Sequence, residues 1–174
     1  MAATFVVEDG TGLSTANAYI SVADADTYDE NHNADSGWGA AAEAAQQKAI
    51  RLATQYLDAT YGGRWRGMRY VETQALDWPR SSFEDYDGYA TAYDEVPSAV
   101  EAACVELAIR VIAGDDLFPV DPNPGLKAKS FHNATTGQAE TYVGSGINSK
   151  RKGYPIIDRL LADLIHQGGT VERG

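Results

Sequence analysis

Apolar residues recur every three or four positions along three stretches of this chain. Ala45, Ala49, Leu52, Ala53, Tyr56 and Leu57 trace one stripe, and Val100, Cys104, Leu107, Ala108, Val111 and Ile112 trace a second. Ile156, Ile157, Leu160, Leu161, Leu164 and Ile165 form a third and broader face. The spacing predicts helices over about 40–61, 98–113 and from Tyr154-Pro155 to about His166. A fourth helix is predicted from Val22 to about Asn31, because Ser21 is a good N-cap and Asp24 places negative charge in its first turn.

Glycine and proline set the boundaries. Gly62-Gly63 stops the second helix, Pro97 opens the third, Gly114 closes it, and Pro79 forces Trp78 out of helical geometry. Thr4 to Glu8 reads as a short β-prone run closed by the turn Asp9-Gly10-Thr11-Gly12, a flexible or edge-strand element that lacks the Gly-Lys-Ser/Thr ending of a phosphate loop. Pro119, Pro122 and Pro124 make Asp115 to Gly125 a connector. Lys127 to Phe131 and Ala139 to Val143 flank Asn133 to Gly137 in the pattern of a β-hairpin or long loop. The expected fold is mainly α, a four-helix bundle-like single domain with a small β-hairpin or extended arm. Its parts are an N-terminal arm (1–20), a helical core (21–114), a connector with the hairpin (115–153), a C-terminal helix (154–167) and a tail (168–174).

Charge changes this picture only in its distribution. The 174 residues carry a net charge of -11, yet Met1 to Leu126 holds 7 Lys/Arg against 21 Asp/Glu, whereas Lys127 to Gly174 holds 7 against 4. An acidic body thus carries a mildly basic C-terminal third, and a general affinity for polyanions is not expected. Cys104 is the single cysteine, so no intramolecular disulfide forms; no charged-then-apolar leader precedes Ala2, and an origin in the cytosol is expected. No apolar run approaches the roughly 20 residues of a membrane span.

Chemistry is sparse. His32, His132 and His166 are isolated from one another and from any nucleophile, and Cys104 sits on an apolar stripe as a small hydrophobe would. Asp115, Asp116 and Asp121 lack the spacing of a calcium loop, and one cysteine with scattered histidines gives no zinc site. No catalytic residue, metal or cofactor is expected, and the chain reads as a non-enzyme.

The informative stretch follows the second helix, where Arg64, Trp65, Arg66, Arg69 and Tyr70 interleave cationic and aromatic side chains. Three readings compete for them. Trp65 packs on the core while the arginines pair with the abundant carboxylates; the segment is a subunit interface; or it is a stacking platform for single-stranded nucleic acid, which the acidic surroundings oppose. Farther on, Ser81 to Glu95 has five acids, four aromatics and no base, an exposed loop whose aromatics need a partner in the core or in a neighbouring subunit.

Several of these strings resemble a known group. Val7-Glu8-Asp9-Gly10-Thr11-Gly12 followed by Ala18 to Asp26, Ala53 to Asp58 followed by Tyr61 to Gly67, Gln74 to Arg80, Val96-Pro97 before an alanine-rich helix, and Tyr154-Pro155 before a Leu-rich helix are similar to head-to-tail connector (adaptor, head-completion) proteins of tailed bacteriophages. The group is also labelled DnaT-like single-stranded DNA-binding proteins. The resemblance implies a virion structural protein made in the host cytoplasm and placed in the neck. Its copies would form a ring, expected to be dodecameric, beneath the portal protein, with a tail or stopper protein on the other side and double-stranded DNA passing through the channel. It assigns Arg64, Trp65, Arg66, Arg69 and Tyr70 to ring contacts or, under the alternative of a DnaT-like protein, to single-stranded DNA. Lys150, Arg151, Lys152 and Tyr154 become portal-docking candidates, and no membrane is involved.

Overall fold

The two long amphipathic stripes face each other. In the computed structural model, which describes residues 4–33, 36–85, 88–119, 129–132, 139–142 and 153–166, helix α1 runs Val22–His32, α2 Glu43–Tyr61, α3 Ser98–Ile112 and α4 Pro155–Leu160. The protein is mainly helical, as the periodicity predicts. Helix α3 packs chiefly along α2, with α1 and α4 against its other sides. The seam is built from Ala49, Ile50, Ala53 and Leu57 of α2 and Val100, Cys104, Leu107 and Ala108 of α3, all buried. Small residues at Ala49, Ala53 and Ala108 let the two backbones approach. Among the described residues no helix is long and apolar enough to cross a membrane.

The chain falls into two units, residues 1–117 with 154–174, and residues 118–153. In the second unit, strands β1 (Lys129–His132) and β2 (Ala139–Tyr142) pair antiparallel, Lys129 opposite Tyr142 and His132 opposite Ala139. The turn expected at 133–137, the basic triplet Lys150 to Lys152 and the tail after Gly168 lie outside the described residues.

Ser21 caps α1 as expected, its hydroxyl accepting from the Asp24 amide at 3.1 Å. Trp38 opens a single 3-10 turn (Trp38–Ala40) between α1 and α2 and is fully buried. Its indole N–H donates to Asp26 Oδ1 at 2.7 Å, and Gln46 of α2 donates to the Trp38 carbonyl at 3.2 Å, so one residue ties both helices. Glu106 joins α1 to α3 by accepting from Asn33 and Tyr28 while paired with Arg110 at 2.9 Å. Burial alone would raise its pKa, but those hydrogen bonds and the guanidinium hold it below the usual value.

Two expectations are corrected. The 9–12 glycine turn is not a loose element, because the buried Glu8 carboxylate gathers the amides of Gly10 (3.0 Å), Gly12 (2.8 Å) and Leu13 (2.9 Å). Gly10 has φ 93°, and a Cβ there would stand 1.9 Å from the Asp94 carbonyl oxygen, so only glycine fits. The last helix is also shorter than its apolar face suggests. It ends at Leu160, and residues 161–165 leave helical geometry because their backbone pairs with the segment after α2, with Ile165 opposite Trp65. Ile156 is left 43% exposed and Leu160 half-buried, while Ile157, Leu161, Leu164 and Ile165 enter the core.

At the C-terminal end of α2, Tyr19 forms a buried hinge point. Its hydroxyl donates to Asp58 and accepts from the amides of Asp77 (3.1 Å) and Trp78 (3.4 Å), locking the 76–78 turn onto the helix. Asp77 Oδ2 lies so near Gly62 that a Cβ at that position would meet it at 2.9 Å. Desolvation pushes the Asp58 carboxyl up to about 7, with the Asp77 charge adding to it against the Tyr19 hydrogen bond and the Arg69 charge. The folded protein therefore binds a proton that the unfolded chain, with its carboxyl near the ordinary value, has released. This contribution to stability is fully present at about pH 4 and is lost as pH rises to about 7, at no more than about 1.4 kcal/mol per pH unit. Urea unfolding followed from pH 5 to pH 8 checks this: Asp58→Asn is expected to flatten the slope and to be the more stable protein at pH 8.

Candidate interaction surface

The segment after α2 runs through turns and two isolated bridges, at Trp65 and Arg69. Two sets of backbone hydrogen bonds hold it. The Arg66 amide donates to Leu164 at 3.0 Å and the His166 amide to Arg64 at 2.7 Å, while the Tyr70 amide donates to Pro79 at 3.1 Å and the Ser81 amide to Met68 at 2.6 Å. Trp65 consequently turns inward. It is 3% exposed, with its ring 5.7 Å from Trp78 in an edge-to-face contact and 5.6 Å from Tyr61. Neither indole N–H of the Trp65–Trp78 pair has a hydrogen-bond partner among the described residues, so both are held by packing.

One sequence reading expected the arginines to pair with carboxylates, and Arg69 and Arg80 are found donating to backbone carbonyls. Arg110 pairs with Glu106, and Arg66 also donates to backbone carbonyls. Arg80, 8% exposed, donates to the carbonyls of Arg66 (2.8 Å), Gly67 (2.8 Å) and Asp77 (3.1 Å). Burial lowers its pKa from the ordinary guanidinium value, with the Asp77 charge opposing. Arg66 donates to Asp163 at 3.0 Å and to Glu84, and its guanidinium lies 4.7 Å over the Phe83 ring. Arg69 donates to the Gln74 carbonyl. Buried Gln74 completes the loop, donating to Leu76 (2.7 Å) and Pro79 (3.0 Å) and accepting from Val71 (2.8 Å). The Trp78–Pro79 peptide is cis.

What remains outside is a set of aromatic and acidic side chains together with Arg64 and Arg69. Met68 and Tyr70, two residues apart, are 74% and 44% exposed, and Tyr93 lies 5.5 Å from Tyr70 and is half exposed. Tyr89 is more exposed still. Glu72, Glu84, Asp94 and Glu95 of the same segments are exposed. Arg64 is exposed, its guanidinium 5.4 Å over the Tyr61 ring. Of the five sequence candidates, Arg64, Arg69 and Tyr70 therefore reach solvent, Arg66 is half-buried, and Trp65 belongs to the core. Met68 was not among the sequence candidates, and Tyr93 joins Tyr70 only through the tertiary fold.

Of the portal-docking candidates, Tyr154 lies among the described residues. Tyr154 is 7% exposed, with its ring edge-on to Tyr56 at 5.6 Å and its hydroxyl donating to Asp115 at 3.0 Å. The portal-docking candidates Lys150, Arg151 and Lys152 lie outside the described residues. Cys104 is fully buried, and desolvation pushes its thiol up to about 12, far from thiolate chemistry at neutral pH. His32 stacks on Tyr28 at 4.3 Å on an exposed helix end. Among the described residues no three His, Cys, Asp or Glu side chains converge as a metal site would require.

A family model described as "Putative DnaT-like ssDNA binding protein" matches residues 3–174. No curated protein and no solved structure matches the chain.

Two substitutions separate the buried half of this segment from the exposed half. Trp65→Ala is expected to cost about 3–5 kcal/mol in urea unfolding, as for other buried aromatics, whereas Tyr70→Ala should stay within about 0.5 kcal/mol. Arg80→Lys keeps the charge but loses the planar fork, leaving buried carbonyls without donors; a loss of about 1–3 kcal/mol is expected in the same measurement.

Proposed function

The chain belongs to this DnaT-like family, whose model spans nearly all of it, and on that premise we propose that it is a non-enzymatic virion adaptor, working through protein contacts. In this reading its copies assemble as a ring in the neck of a tailed phage, between the portal and a tail or stopper protein, and duplex DNA passes through the opening. The observation that carries the proposal is the division of the segment from Arg64 to Glu95. Its arginines at 66, 69 and 80 donate to internal carbonyls, while the large apolar side chains it exposes are Met68, Tyr70, Tyr89 and Tyr93, with carboxylates and the cations Arg64 and Arg69 exposed beside them. Aromatics and methionine are residues of protein interfaces. Carboxylates at the same place repel phosphates, which disfavours this patch as a nucleic-acid contact. The resemblance of the 7–26, 53–67 and 74–80 strings to phage connectors supports the same assignment.

The second reading is direct binding of single-stranded DNA, which the family description favours. Its structural support is the exposed Arg64 over Tyr61 and the exposed Tyr70–Tyr93 pair, which offer one cation and two rings. Titration of a fluorescent single-stranded oligonucleotide with the full chain at several salt concentrations decides between them. The adaptor reading expects no saturable binding even at low salt, where phosphate contacts are strongest. Tight binding whose logarithm falls linearly with the logarithm of salt, and which Arg64→Ala with Tyr70→Ala removes, would overturn it.

A further inference from the structure

The same body carries a concave counterpart to its aromatic patch. A groove of about 450 Å³ runs along the outer face of α2, floored by the buried Ala16 and Leu76 and rimmed by Asn17, Arg51 and Gln55. Pockets that take small apolar groups run roughly 300–1,000 Å³, so there is room for tyrosine side chains. Arg51 has no hydrogen-bond or ion-pair partner among the described residues, and Lys48, one turn earlier, is exposed. These two are the only basic residues before Arg64. The carboxyl that lines the groove, Asp58, already receives the Tyr19 hydroxyl, and its raised pKa leaves it only partly charged at neutral pH.

We propose that the Met68–Tyr70–Tyr93 patch of one copy seats in the Arg51–Gln55–Leu76 groove of the next. The inference rests on the adaptor reading and supplies the contact it needs. The patch is exposed and apolar, with three carboxylates (Glu72, Asp94, Glu95) against the single cation Arg69, and the groove is apolar at its floor and carries Arg51 at its rim, so the net charges are complementary. Patch against patch would bring Glu72, Asp94 and Glu95 of two copies face to face, which charge repulsion opposes. Two different surfaces on one chain make a heterologous contact, and heterologous contacts repeat into a closed ring when the rotation closes.

Disulfide trapping in the full chain tests this, since the native Cys104 is fully buried. Tyr93→Cys protein mixed with Gln55→Cys protein under oxidising conditions is expected to give the mixed dimer, with little Tyr93→Cys homodimer. Arg51→Glu in the groove copy should lose the mixed product while its circular dichroism stays unchanged. Homodimers of Tyr93→Cys in equal yield, or no mixed product at any protein concentration, would overturn the contact. Repeating the oxidation in the presence of purified portal separates the two claims. A ring on the portal without the mixed disulfide rejects this contact alone, and a chain that neither forms the disulfide nor joins the portal rejects the adaptor reading as well.

Discussion

The Arg80 guanidinium, closed among the carbonyls of Arg66, Gly67 and Asp77, is the constraint on which the rest of this structure depends. A buried charge is tolerated only when its donors are matched, and here backbone atoms do the matching. That requirement folds the segment after α2 back beside the Trp78 turn. Trp65 then meets Trp78, and Ile165 is drawn opposite Trp65, which shortens the last helix. Gln74 and Tyr19 fasten the other side of the same turn. A stretch that contains three glycines is thereby tied to the core by backbone hydrogen bonds.

This arrangement determines which chemistry the surface can offer. An arginine whose donors hold internal carbonyls has less left for phosphates, so within the Arg64 to Tyr70 stretch Trp65 and Arg66 are turned to internal use while Arg64, Arg69 and Tyr70 stay exposed. The side chains left outside are Met68, the tyrosines, Arg64 and Arg69, set among carboxylates in a chain of net charge -11.

Acidic residues serve three different ends here, and burial distinguishes them. Glu8 is buried but receives three amides, so it organises a turn. Asp58 is half-buried beside the Asp77 carboxylate, and desolvation raises it to about 7 against the hydrogen bonds it receives from the Tyr19 hydroxyl and the Asp77 backbone. Asp94 and Glu95 are exposed and contribute field without structure of their own. Composition counts these alike.

Periodicity determined the helical class, the α2–α3 seam, the caps at Ser21 and Gly114 and the burial of Cys104, because each is a local consequence of spacing and residue type. The family resemblance, too, was legible as strings. Tertiary structure decided what spacing could not. Whether Trp65 faces inward depends on a backbone pairing with residues 164–166, a hundred positions away along the chain. Whether an arginine meets a carboxylate or a carbonyl depends on which turn is folded beside it. The pairing of Tyr93 with Tyr70, and the groove that Leu76 closes beside Arg51, likewise exist only once distant segments meet. Helices are written in neighbours three and four residues apart; surfaces are assembled from segments that only the fold brings together.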